Sequence, residues 1–400
     1  MKRRGQRSST PPSPVGNTQL AAPSLEFYCG GMLFYDGPGS DLFRMLEQLE
    51  AIEELLRARS PVKARMALIL LDALTDAVVF RRLQQIYEAA EEPWFRRNMP
   101  QLSRQQRFEA RQNFNRRIEI VRKPTELDRW FGDGEPFIAG PDAEILKIGH
   151  RFRNAAYHED AHNPHVVDSI TRVLFGAVAR LVACTQQPGV AVGSVSRPRL
   201  ERLSNWGYES GPMLELRAAA DAITETFVSA LAVDPCELRE TFADDLEARA
   251  ESLRSDVGFL AEGGMEPGKI IEGVELWSQY GADEELLELQ AQFDPFVVAE
   301  AAGLKEPSQE LVAQTQQALV RYRERMEELE REHKQRVSLE LIDAAVATSG
   351  RLRRLRESHK ILAAYYEIDR SLTELEGYVH EAVLALDRHI QQQIDLARGK

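Results

Sequence analysis

Apolar residues recur at intervals of three and four over most of the chain, and that spacing restricts it to helices. From Asp41, a plausible N-cap, to Ala58 the apolar positions are Leu42, Met45, Leu46, Leu49, Ile52 and Leu56. Ser60-Pro61 then supplies an N-cap and an N1 proline for a helix running to about Ala90, with Leu68, Leu71, Leu74, Val78 and Leu83 facing inward. Asp142 caps a later helix whose buried side is Ile145, Ile148, Phe152 and Ala156. Asn163-Pro164 ends it, and Val166 to Cys184 forms the next, with Ile170, Val173, Leu174, Ala177, Val178 and Leu181 inward. One stretch departs from this pattern. Leu25–Asp36, LEFYCGGMLFYD, places aromatics on both sides of Gly30-Gly31 and reads as a short hairpin. The fold class is all-α.

Composition shifts divide the chain. Residues 1–24 are basic and then Ser/Thr/Pro-rich, which predicts a disordered tail with no signal peptide. Residues 25–185 form a helical bundle, and the Gly/Pro/Ser-rich stretch 186–211 is a linker. A helical domain is expected over 212–305. A long helical hairpin or coiled-coil-like region follows over 306–400. Ser308 opens a highly charged helix to about Thr348, with a partial heptad at Leu319, Tyr322, Met326 and Leu329. Gly350 interrupts it, and Arg351 to Ala397 continues the helical pattern.

Cys29, Cys184 and Cys236 lie far apart with no CxxC pair, which argues against a disulfide framework and a cysteine metal site. A reducing compartment fits. The apolar runs near Met66–Leu71 and Val173–Cys184 have charges within or beside them and read as core helices, not membrane spans. The net charge of −13 is unevenly spread. Residues 1–200 hold 28 Lys+Arg against 23 Asp+Glu, or +5, and the remainder, 22 against 40, holds −18. Any contact with a polyanion therefore belongs to the first half. The acidic C-terminal helices are the candidate surface for a protein partner. No Gly-rich phosphate loop, nucleophile elbow or Rossmann fingerprint is present, and no cofactor is implied.

Phe95 to Arg129 is the basic segment. Arg96, Arg97, Arg104, Arg107, Arg111, Arg116 and Arg117 are its candidate RNA contacts, with Phe108, Phe114, Trp130 and Phe131 interleaved. Arginine binds phosphate and aromatic rings stack on bases, which suits single-stranded RNA. The alternative is an exposed helix whose aromatics serve the core. Upstream, Asp72 and Asp76 sit four apart on one helix. They are either a solvated edge, or one of them orients a catalytic arginine across the helix pair.

Chemistry concentrates in Arg151-Phe152-Arg153-Asn154-Ala155-Ala156-Tyr157-His158-Glu159-Asp160, with His150, His162 and His165 close by. Histidine exchanges protons near neutral pH, and arginine stays charged and binds phosphate oxygens in pairs. RNA brings its own nucleophile, the 2′-OH. Cleavage then needs a base, an acid and a cation to stabilise the charge on phosphorus.

Arg153, four intervening residues and His158, with Asn154 directly after the arginine, resembles the defining motif of the HEPN superfamily. That motif is an arginine, four to six residues and a histidine, late in an all-α bundle. The resemblance covers about residues 41–184. It implies a cytoplasmic homodimer whose paired motifs form a composite, metal-independent ribonuclease site acting on RNA. Toxins, phage-defence effectors and RNA-processing enzymes occur in the family, as do non-catalytic interaction proteins. Carried onto this chain, the site is Arg153, Asn154 and His158. Arg151 also stands at an allowed spacing from His158 and is a second phosphate contact. Arg354–His359 matches the bare pattern too, but lacks both the polar residue and the domain.

Two other readings compete. His158-Glu159-Asp160-Ala161-His162 matches the zinc motif HExxH. Asp160 and Pro164 weaken it, and His165 is the one nearby third ligand. Alternatively, Arg153, Asn154 and His158 form a buried polar knot that fixes helix packing.

Overall fold

The computed structural model describes residues 40–92, 99–131, 134–158, 163–185, 201, 203–206, 216–264, 266–290, 309–332 and 338–398. The tail 1–24 and the hairpin expected at 25–36 lie outside the described residues. Among the described residues, all regular structure is helical and no strand occurs, so the all-α reading holds. No described helix is long and apolar enough to cross a membrane.

Helix α1 (Ser40–Arg57) and α2 (Pro61–Glu91) form an antiparallel pair. Leu42, Leu46, Leu49, Ile52 and Leu56 are essentially fully buried, as their spacing requires. Pro61 stands at the start of α2 as expected, but the Ser60 side chain makes no capping bond. The short helices α3 (Arg104–Gln112), α4 (Phe114–Val121) and α5 (Glu126–Phe131) cross over from α2. A capping box between Ser103 and Gln106 starts α3, and Asn113 caps α4. Then come α6 (Gly140–His158) and α7 (Pro164–Cys184), which pack on α2 and on each other. Gly149 allows their close approach, since a Cβ there would lie 2.7 Å from the Leu174 side chain.

Asp142 does not cap α6, which begins at Gly140. Its carboxylate instead receives Arg180 Nε at 3.0 Å and Nη2 at 2.5 Å, pinning α6 to α7. That ion pair joins the start of α6 to the last turns of α7, whose own start is capped by Asn163.

The second half comprises α8 (Leu216–Leu231), α9 (Pro235–Glu262), α10 (Pro267–Ala282), α11 (Glu284–Gln290), α12 (Gln309–Glu332), α13 (Glu340–Leu352) and α14 (Ser358–Ala397). The boundary expected at 186–211 does not divide the packing. Helix α8 lies against α7 and α1, and one hydrophobic core runs from Leu42 to Val379. Within the supposed linker, Leu203 and Trp206 are buried, and Trp206 packs near Phe43 and Phe227. A polar, glycine-rich flank hid two apolar anchors.

The C-terminal hairpin also differs from expectation. Helix α12 packs on α10 and α11, while α13 and α14 pair with each other and with α9. Gly350 sits inside α13, and the break falls after Leu352. A helix tolerates one glycine at a cost of about 1 kcal/mol. Tertiary contacts set the stop: Arg353, at the turn, reaches Glu240 at 3.1 Å, Asp244 at 2.9 Å and also Glu247, all on α9.

Candidate functional site

Helix α2 carries one carboxylate deep in its apolar run, Asp72, which is 3% exposed. A buried carboxylate is costly unless it is paired. Helix α6 supplies the partners. His150 and Arg153 are three residues apart and share a face. His150 Nδ1 lies 2.8 Å from Asp72 Oδ1. Arg153 donates to Oδ2 through Nε at 2.8 Å and Nη2 at 2.7 Å. Arg153 Nη1 donates to Asn154 Oδ1, also at 2.8 Å. The polar residue after the arginine therefore steadies its outer edge, while Asp72 holds its inner edge.

This geometry separates Arg153 from Arg151. The Arg151 guanidinium lies 5.5 Å from the centre of the Tyr366 ring on α14, on another side of α6. Arg153 faces α2. Its side chain is 35% exposed, and Asn154 is exposed. Arg153 and Asn154 are thus not enclosed in a buried knot. His158 closes α6, but its side chain lies outside the described residues, as do residues 159–162 of the HExxH stretch. His165 is exposed, and its backbone N–H donates to Asn163 Oδ1. Among the described residues no group of His, Cys, Asp and Glu is arranged to hold a metal.

His150 was not singled out by the motif, yet it joins the group. Its ring stacks on Phe114 of α4, with centroids 4.2 Å apart. A carboxylate only accepts, so Nδ1 carries the hydrogen of the Asp72 bond. In the neutral ring Nε2 is then the basic nitrogen, and no described residue bonds it. The sequence signal for this arrangement was a lone aspartate inside ALILLDAL, an apolar run that must bury it.

Each of the paired acids on α2 holds an arginine from another helix, Asp72 holding Arg153 and Asp76 holding Arg117. Asp76 holds Arg117 of α4, whose guanidinium also donates to the Arg111 carbonyl at 2.7 Å. Arg117 is only 7% exposed. It fastens α4 to α2 and is withdrawn from the surface where RNA contact was expected. Arg82 is similarly buried, 2.5 Å from Asp128 and 4.8 Å from the Phe137 ring centre. Arg104 and Arg111 are exposed, Arg107 and Arg116 are half-buried, and Arg96 and Arg97 lie outside the described residues. The aromatics divide: Phe114 is 4% exposed and Phe108 is 55% exposed.

The second half braces the motif helix. Phe152 is buried against Tyr365 and Tyr366 of α14. Tyr365 donates to Asp245 Oδ2 at 2.7 Å, and Asn163, the cap of α7, donates to Asp245 Oδ1 at 3.0 Å. One carboxylate on α9 so joins α14 to the start of α7. Burial, reinforced by Asp369 and Asp245, pushes the Tyr365 hydroxyl well above its ordinary pKa.

A cavity of about 420 Å³ opens elsewhere, between the turn before α6 and helices α7 and α8. Phe137, Arg180, Cys184 and Arg217 are among its lining residues, and none of the Asp72 group is. Burial raises the Cys184 thiol, which keeps it protonated near neutral pH. The chain matches no protein-family model, no curated protein and no solved structure.

Proposed function

We propose that the chain is a metal-independent endoribonuclease of HEPN type, acting in the cytoplasm as a toxin or phage-defence effector. The observation that carries this reading is Arg153, gripped by a buried carboxylate on one edge and by Asn154 on the other, with its guanidinium still part-exposed. A fixed, charged guanidinium is what a phosphate gaining charge in the transition state needs. Arg153 stabilises that charge and Asn154 positions the guanidinium. His158 transfers a proton. His150, held by the same Asp72, offers a second imidazole on the same helix, so the 2′-OH proton and the leaving 5′-oxygen need not share one group.

A homodimer fits the surface of α2. Val62, Met66, Ile69 and Leu70 are 66%, 49%, 41% and 44% exposed. Their spacing lines them up along the helix that carries Asp72. Leu68 and Leu71 of the same run face the core, and these four residues lie on the other side of the helix. A second copy covering the stripe would bring two Asp72–Arg153 groups towards one another.

The test is cleavage of single-stranded and structured RNA in excess EDTA by the parent and by His158→Ala and Arg153→Ala. EDTA-resistant cleavage lost in both variants is expected. Well-folded dimer that leaves RNA intact would favour the second reading, a non-catalytic scaffold. That reading draws on the end of α14, where Ile390, Ile394 and Leu396 are 38%, 37% and 68% exposed, as a site for a protein partner.

A further inference from the structure

Helix α3 turns an unusual face to solvent. Arg104, Arg107, Phe108 and Arg111 follow one another at i, i+3, i+4 and i+7, which gathers them within roughly a quarter to a third of the helix circumference. Ala110, on the other side, is fully buried, so the packing of α3 leaves Phe108 outside at 55% exposure. Glu109, the single carboxylate of the helix, is rotated off this face and accepts from Gln105 at 3.0 Å. Arg107 lies 5.0 Å from the Tyr87 ring centre and 3.5 Å from Glu91, an exposed pair that water and salt weaken. Arg104 and Arg111 have no carboxylate partner among the described residues. The face also adjoins the candidate site. Asn113 joins α3 to α4, Phe114 of α4 stacks on His150, and His150 shares Asp72 with Arg153.

We infer that this face of α3 binds unpaired RNA, one base stacked on the exposed ring of Phe108 and the flanking phosphates on Arg104, Arg107 and Arg111. The choice of RNA rests on the ribonuclease reading; the binding chemistry does not require cleavage. An aromatic ring beside guanidinium groups meets both parts of a nucleotide, the π-face and the phosphate. A duplex keeps its base faces inside the stack and offers Phe108 nothing. The face therefore selects single strands and threads them toward Arg153. An acidic peptide would engage the arginines but leave the ring without a stacking partner.

The experiment is fluorescence anisotropy on the full chain with a labelled 2′-O-methyl oligouridylate, free or annealed to its complement. The 2′-O-methyl groups remove the nucleophile, so binding is read without cleavage. Phe108→Ala should weaken the single strand roughly tenfold, within the range of a base–aromatic stack, and leave the duplex unaffected. Phe108→Trp should restore binding. Arg111→Gln should reduce the slope of log affinity against log salt by about 0.7, the value for one phosphate contact on a single strand. Phe108 is exposed, so these variants should melt with the parent. Unchanged single-strand affinity in Phe108→Ala would overturn the inference. So would equal losses for single strand and duplex, or competition by polyglutamate as strong as by the oligonucleotide. Cleavage of unmodified RNA is measured in parallel. Phe108-dependent binding without cleavage in any form removes the nuclease reading and keeps the RNA face; cleavage with Phe108-independent binding does the reverse.

Discussion

Asp72 and Asp369 are both buried, 3% and 4% exposed, and each holds an arginine, yet those arginines end in opposite situations. Arg249 on α9 is consumed. Its Nε and Nη2 meet Glu376 at 2.7 and 2.9 Å, Nη1 meets Asp369 at 2.6 Å, and Nη2 also meets Thr373 at 2.8 Å. Burial works against its charge, but the Glu376 bond and the surrounding acidic groups outweigh that, and its pKa is raised. Arg153 keeps donors in reserve instead. Asp72 takes one edge, Asn154 takes one more donor, and part of the guanidinium stays open. Of five N–H donors on an arginine, a structural one uses nearly all within the fold. An arginine meant for a phosphate must be fixed without being used up. The difference teaches that burial of the partner acid alone does not mark a site; the donors left over do.

The largest effect should come from breaking the consumed arginine. Arg249→Met leaves Asp369 and Asp245 buried beside Tyr365 without their cation, at a cost of about 3–5 kcal/mol in urea unfolding. A loss under about 1 kcal/mol would show that the network is not what joins α9 to α14. Next in size, Arg153→Ala should slow RNA cleavage by about 10²–10³-fold, the scale of one lost electrostatic contact in the transition state. Its stability loss should be smaller than that of Arg249→Met, because His150 still covers Asp72. Equal stability losses with no change in cleavage would make the two arginines the same kind of residue.

A milder change sharpens the contrast. Asp72→Asn keeps the shape but removes a charge-assisted bond pair, with an expected cost of about 1.5–3 kcal/mol. Cleavage should fall less than in Arg153→Ala, since the guanidinium remains but is less firmly held. The smallest effect belongs to Tyr365→Phe, about 1 kcal/mol at neutral pH for one hydrogen bond to Asp245. It should also alter the alkaline limb. The folded pKa of Tyr365 is raised, so its proton stays on in the fold after the unfolded tyrosine has lost its own. That contribution is complete below about pH 10 and is lost as pH rises beyond it. Thermal melts of the parent should therefore decline above pH 10 more steeply than those of Tyr365→Phe.

Much of the fold was legible because helix signals are local. Pro61 sits where a helix starts, and the apolar spacing of Leu42 to Leu56 named its buried face; Asn163-Pro164, read as the end of one helix, also begins the next, two residues before Val166. The same spacing put Leu68, Leu71, Leu74, Val78 and Leu83 inward on α2, and all five are buried, while Met66, Ile69 and Leu70 lie off that face and are exposed. Local signals failed where the outcome depends on partners distant in sequence. Gly350 looked like a stop because propensity is a weak term, whereas the stop after Leu352 answers to acids on α9 about a hundred residues away in sequence. In the basic segment, Arg111 and Arg117 are alike as letters. One is exposed and the other is held by Asp76, and only the crossing of α4 over α2 distinguishes them.

By itself, the sequence determined that the chain is helical, where many helices begin, and that Arg153, Asn154 and His158 share one helix, since those are consequences of spacing and of residues next to one another. The tertiary structure decided that Asp72 holds Arg153 and not Arg151, that His150 joins it, and that the C-terminal helices brace the motif helix. Those outcomes depend on Asp72, far from Arg153 in sequence, and on Asp245, which bonds residues on α7 and α14. A buried carboxylate must find its partners across helix interfaces, and no periodicity along one helix records which interface it will meet.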